Sequence, residues 1–281
     1  MINIIKYDLY NGIRKRMIWL LLPIIVFTVG TFEIDGTVRL IQNEGGCMSL
    51  GECLAYYFHG SIPAGSELGA SRPHIVWLII QLGCLFFTLE YPTRDLNIFG
   101  QQVIVRCGSR VKWWFSKCVW LSLSVLIYYF VGVLVTTVAG TFFGVRMSLE
   151  IQQGNMMSIL NFCNVGFNQY TGWQSVFILI IMPYLSMLAL NLFCLITSLL
   201  LNQVFSMMAG LFMLLVVSSR MSPFIVTNFS MLQRCSYFYS EGLDYSIGIV
   251  YVLAMIAGCV IIGAMAILYV DLIEPKKNGD A

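Results

Sequence analysis

Residues able to carry out chemistry are sparse in this sequence. It has two histidines, His59 and His74, and nine cysteines. No H-E-x-x-H occurs, so the paired imidazoles and carboxylate of a zinc peptidase are missing. No G-x-x-x-x-G-K-[ST] loop occurs either, so the chain does not hold a nucleotide by a P-loop. Ser61 follows His59 and Gly60, but a nucleophile inside a membrane needs its base on another buried element. The cysteines are scattered without the paired spacing of a metal site. Ionisable residues within spans mark ion and proton pathways, yet the predicted spans carry essentially none, Glu33 and Glu90 lying near span ends. These absences argue against catalysis, a bound metal or an ion-coupled carrier in this chain.

The elements that would position any site are set by composition. The 281 residues are 58% hydrophobic and 11% charged, with a mean hydropathy of +0.81, whereas a soluble domain carries about 25% charged residues. The stretches Met17–Phe32, Pro73–Leu89, Cys118–Val145, Ile151–Ser219 and Tyr245–Val270 contain no Asp, Glu, Lys or Arg. About 20 apolar residues cross a bilayer core as a helix, and the Ile151–Ser219 run is long enough for two, broken by the amides of Asn202 and Gln203. The pattern predicts an all-α polytopic membrane protein forming one membrane domain over 1–281. Its parts are an interfacial helix over 1–16, six spans within 17–270 and a tail over 271–281. The spans are predicted at 17–35, 74–91, 117–144, 173–200, 204–219 and 246–270. A formal charge of +2 supplies no basic patch for nucleic acid.

Lys and Arg concentrate on cytoplasmic segments of membrane proteins. With both termini inside, Lys6, Arg14, Lys15, Arg16, Arg94, Arg106, Arg110, Lys112, Lys117, Lys276 and Lys277 are cytoplasmic, and only Arg39, Arg72, Arg146, Arg220 and Arg234 are outside. A plasma membrane crossed an even number of times is the expected location. In this topology Cys84, Cys194 and Cys259 are packing residues within spans, and Cys107 and Cys118 face a reducing interior. Cys47, Cys53, Cys163 and Cys235 lie outside, where spacing does not choose among their pairings. Ile2, Ile5, Leu9 and Ile13 share one face of the N-terminal helix, with Lys6, Asp8, Arg14 and Lys15 on others. Such a helix lies flat at the inner interface with its cations among lipid headgroups. Polar residues inside the spans are mild. Gln81, Thr88, Ser186 and Asn191 either bond helix to helix or line a path for an amphipathic cargo.

The cytoplasmic connection between spans two and three is the most ordered stretch. Glu90 is followed by Leu96–Val105, a short amphipathic helix with Ile98, Gln102 and Val105 along one side; then come Gly108, Ser109 and Arg110, and a basic-aromatic entry with Trp113, Trp114 and Lys117. The tryptophans suit the headgroup boundary.

This arrangement resembles the permease subunits of ABC-2 type transporters, especially small bacterial ones of bacteriocin, lantibiotic or drug export. The resemblance rests on the N-terminal interfacial helix, the six spans, and the order Glu90, Leu96–Val105, Arg110, Lys117. The short connection at Leu201–Gln203 resembles a second cytoplasmic contact. Met221–Tyr239 falls where such permeases place short re-entrant outer helices. Pro92 and a long first outer loop depart from the pattern. The resemblance implies a type V exporter-like fold and a division of labour in which this subunit forms the pathway, binds no cofactor and has no catalytic residue. ATP and magnesium would belong to a partner ATPase, and a second permease copy or paralogue would complete the channel. Leu96, Ile98, Gln101, Gln102, Val105, Arg106 and Arg110 would couple to the ATPase. Gln81, Thr88, Ser186 and Asn191 would line the substrate pathway, an antimicrobial or signalling peptide being the first expectation. Alternatives are a lipid or drug exporter permease and a membrane-embedded immunity or scaffold protein, the last needing no ATPase.

Overall fold

The computed structural model describes residues 2–12, 18, 20–43, 45–61, 75–95, 109–152, 154–155, 169–170, 172–239 and 241–269. The amphipathic N-terminal segment forms α1, Ile2–Gly12. Among the described residues, five helices follow that are long and apolar enough to cross a membrane: α2 Leu21–Asn43, α4 Ile75–Asp95, α5 Arg110–Phe142, α6 Trp173–Leu200 and α8 Tyr245–Tyr269. Between α6 and α8 lies a shorter apolar helix, α7 Gln203–Ser219, of 17 residues. A small helix α3, Leu50–Tyr57, precedes α4. A two-residue antiparallel ladder pairs β1, Ile151–Gln152, with β2, Gln169–Tyr170. The chain is a helical, membrane-embedded protein.

Helix centres fall where the apolar runs place them, while several ends move outward. The first span, expected to stop at residue 35, continues to Asn43. Ile34, Val38 and Ile41 keep a buried face at helical spacing, and Asp35 and Arg39 pair one turn apart at 2.7 Å on the other side. The second span runs through Pro92 to Asp95. A proline inside a helix costs roughly 3 kcal/mol, and the last turn is held by tertiary contacts of Tyr91 and Asp95 described below. The third begins at Arg110 rather than 117, capped by the Ser109 side chain. Its 33 residues rise about 50 Å, so α5 extends beyond a core of about 30 Å. Within α6 a wide π turn at Phe177–Ile181 immediately precedes Pro183, whose missing N–H cannot continue the regular ladder.

Helix α6 is central, packing against α4, α5, α7 and α8, and α2 lies across α5 and α4. Aromatic rings enter notches left by glycines on neighbouring helices. Phe27 of α2 sits over Gly132 of α5, Trp114 of α5 over Gly263 of α8, and Trp120 of α5 over Gly12 of α1. Small residues allow helices in a membrane to approach this closely. The Trp114 indole also donates to the Val260 carbonyl at 2.9 Å, pinning α5 to α8.

Contacts sort the chain into two ends. At one end lie α1, the end of α4, the start of α5 and the last turn of α8, whose Leu268 carbonyl accepts from Arg110 at 3.4 Å. At the opposite end the connections bond to one another. Leu50 N donates to Arg146 O at 2.9 Å, Leu232 N to Phe58 O at 2.8 Å, and Gln233 N to His59 O at 3.1 Å. Residues 221–239 form two short 3-10 turns, Val226–Ser230 and Leu232–Arg234, both buried among the helices.

Candidate functional site

The end of the molecule that carries α1 holds a closed charge cluster. Lys117 lies seven residues into α5, its side chain 1% exposed, and its ammonium contacts Asp8 Oδ1 of α1 at 2.6 Å and Asp95 Oδ2 of α4 at 2.7 Å. Asp8 also accepts from the Ser116 hydroxyl at 2.6 Å and from the Tyr91 phenol at 2.9 Å. The Tyr91 and Trp113 rings stand 4.7 and 5.2 Å from the ammonium, close enough for cation–π attraction. Three elements distant in sequence thus meet through one lysine. Burying a charge is tolerated only with pairing and further hydrogen bonds, and Asp8 has both.

Local sequence explains why these groups face one another. Ile5, Asp8, Leu9 and Gly12 recur at three- and four-residue spacing, and Asp8 and Gly12 are buried against α5. The inward side of α1 therefore includes an acid, whereas the sequence reading placed Asp8 off the apolar face. Lys117, read as the last cytoplasmic residue before span three, sits within α5, and Asp95 closes α4. The spans are thus not free of ionisable groups at this end. What could have pointed to Asp8 is its position between two apolar residues and a glycine on one helical stripe.

Asp95 is the last described residue before the 96–108 connection and Ser109 the first after it. Asp95, at that boundary, is tied through Lys117 to α5 and α1. No group of three or more His, Cys, Asp or Glu that could hold a metal occurs among the described residues.

The expected coupling residues Leu96, Ile98, Gln101, Gln102, Val105 and Arg106 lie outside the described residues; Arg110 opens α5 and reaches the end of α8. The four expected pathway residues are all fully buried. Thr88 of α4 bonds to the Asn191 carboxamide of α6, and Asn191 donates to its own helix at Met187 O, 2.8 Å. Gln81 donates to Ser230 at 3.3 Å, beside the Trp77 indole on the same hydroxyl at 3.1 Å. Thr88 and Asn191 thus join α4 to α6, and Gln81 joins α4 to the 226–230 turn.

Two further buried charges sit at the opposite end, and sequence reading assigned neither a role. Arg234 is fully buried, and its contacts among the described residues include no carboxylate. Its guanidinium donates to the Val217, Ser218 and Arg220 carbonyls of the last turn of α7, to Ser61 and to Asn228. A cation is favoured at a helix C-terminus, and here it ties the end of α7 to Ser61. Burial lowers the pKa of Arg234 to about 10. Glu52 of α3 forms a capping box with Ser49. Its carboxylate accepts from Ser49 N at 2.8 Å, Gln152 N at 3.0 Å and Asn155 at 2.8 Å, and burial raises its pKa despite these donors. Cys47, Cys53 and Cys235 are free thiols; Cys163 and Cys107 lie outside the described residues. Compared with known proteins, the chain matches no family model, no curated protein and no solved structure.

Proposed function

We propose that this chain is the permease subunit of an ATP-driven transporter of the ABC-2 kind, lying in the bacterial plasma membrane with six passes and both termini cytoplasmic. The five long helices and α7 make an even number. At 17 residues α7 rises about 25 Å, a little under the core thickness, and the buried turns of 226–234 follow directly at its outer end. Two such subunits, identical or paralogous, enclose the path. The cargo is amphipathic, a peptide before a lipid or drug, and a separate subunit binds and hydrolyses ATP.

The observation that supports this reading most is the junction of α1, α4 and α5 at Lys117, beside the connection expected to dock on an ATPase. An ATPase can bias a permease only through contacts that differ between its two states. A connection whose flanking helices share one ammonium with α1 would carry such a bias into three elements at once. The test replaces Ile98 and Val105 together with Asp. The double variant should reach normal membrane levels, fail to co-purify with an ATPase and lose ATP-dependent transport in vesicles. Retention of the partner with undiminished transport would overturn the assignment.

A further inference from the structure

The buried face of α2, with Phe27, Gly30, Ile34, Val38 and Ile41, packs against α3, α4 and α5. The opposite face is open along its length. Ile25, Val29, Phe32 and Leu40 are each more than half exposed, and a side-chain carbon added at the exposed Gly36 meets nothing within 4 Å. Ile25, Val29, Phe32 and Gly36 are spaced by four, three and four residues, the seam of a left-handed coiled coil. Lipid covers the inner part of this seam but not its outer end, because Glu33, Asp35 and Arg39 set that end in water. Leu40 lies beyond them. An apolar strip exposed to water and bordered by charge marks an interaction surface.

We propose that a second copy of this chain docks on this face, α2 against α2 in parallel, with Gly36 at the closest approach and Glu33 of each copy paired with the partner's Arg39. Charge and symmetry select that occupant. At about 100° per residue, Glu33 and Arg39 fall about 60° to either side of Gly36, one on each flank of the seam. Glu33 is exposed and accepts only a long bond from Tyr56 at 3.5 Å. The Arg39 side chain is 71% exposed, and its pairing with Asp35 leaves donors over, since a guanidinium has five. Copies of one chain enter a bilayer in the same orientation, so a two-fold axis between them runs along the membrane normal and sets their α2 helices parallel. A two-fold axis turns the left flank of one copy toward the right flank of the other, which brings acid against base on both sides of the seam. Charged residues flanking the seam of a parallel coiled coil pair in the same way. Six residues rise about 9 Å, a height that an extended arginine and a glutamate bridge together. An unrelated partner has no reason to repeat this spacing, whereas a second copy supplies it by symmetry. A second copy belongs to the permease reading, but this face is read from α2 alone.

The test co-expresses the full chain under two different affinity tags, with no ATPase gene alongside, and captures one tag in mild detergent. The wild type should bring down the other tag. Glu33→Arg in both copies, or Arg39→Glu in both, should lower the captured partner about tenfold, because like charges then meet twice across the axis. Glu33→Arg under one tag with Arg39→Glu under the other should restore capture, since each contact again joins opposite charges. That rescue also shows that both variants fold. Gly36→Cys in a Cys47→Ser chain should cross-link the copies on mild oxidation of intact membranes, whereas Ser246→Cys at the exposed outer end of α8 should not. A wild type that does not capture its second copy, or a mixed pair that captures no better than the single variants, overturns the docking face. Undiminished capture in both single variants overturns the Glu33–Arg39 contact. Because no ATPase takes part, failure here is distinct from failure of the permease reading.

Discussion

At the scale of the residue, the decisive group is a lysine that a charge count would leave in water. Lys117 shares its charge between Asp8 and Asp95 at 2.6 and 2.7 Å, and removing it strands two carboxylates in the interior. Breaking a buried pair in this way costs about 3–5 kcal/mol. Lys117→Met should therefore lose that much stability in detergent and expose α1 to protease. Adding Asp8→Asn and Asp95→Asn should recover much of the loss, because no uncompensated charge remains. Thermal unfolding followed alongside proteolysis of the N-terminal segment checks both statements, and a neutral Lys117→Met would contradict the cluster. Glu52 makes a second, pH-dependent case. Its folded carboxyl holds a proton more tightly than the unfolded one, because burial outweighs its donors. Its contribution is therefore fully present below the ordinary carboxylate pKa and is lost as pH rises through the raised folded value. The stability difference between wild type and Glu52→Gln should shift against the wild type as pH rises from about 4.5 toward neutrality. Unfolding of the two proteins compared across that window would show it; a pH-independent difference would remove Glu52 as the cause.

At the scale of the element, the bundle depends on rings seated in glycine notches. Gly132→Leu pushes into the Phe27 ring and Gly263→Leu into the Trp114 ring. Each should cost about 1–3 kcal/mol as overpacking, whereas the same change at Gly258, which meets nothing, should be nearly neutral. Denaturation of the three variants in one detergent ranks them. The same contacts show which features of the fold were legible beforehand. Span centres follow from runs too apolar for water, whereas α3, with its Ser49–Glu52 capping box, had no counterpart in the sequence reading. Helix ends were not legible, because tertiary partners set them. Pro92 reads as a stop, yet Tyr91 and Asp95 hold the turn around it through Asp8 and Lys117. Asp8 was hidden because an acid on an amphipathic basic helix reads as solvated until its partner on α5 is known. Arg234 was hidden for a similar reason. Its partners are mostly backbone carbonyls at the end of α7, and carbonyls leave no trace in a sequence pattern.

At the scale of the whole molecule, topology and energy source carry the account. Cys47 is an exposed free thiol at the end opposite α1. In the proposed topology that end is external, so a variant keeping only Cys47 should react with an impermeant maleimide in intact cells. A cysteine introduced after Lys277 should react only once the membrane is opened. The reverse pattern would invert the protein and detach α1 from the cytoplasm. The energy source is the central claim, and one measurement addresses it most directly: vanadate-sensitive ATP hydrolysis in the material that elutes with the affinity-tagged chain from its native membranes in mild detergent. The account predicts hydrolysis that co-elutes in fixed proportion to the chain and is absent from the eluate of the Ile98→Asp, Val105→Asp double variant. A chain that elutes intact and without ATPase activity, with its double variant indistinguishable from it, would contradict the permease reading.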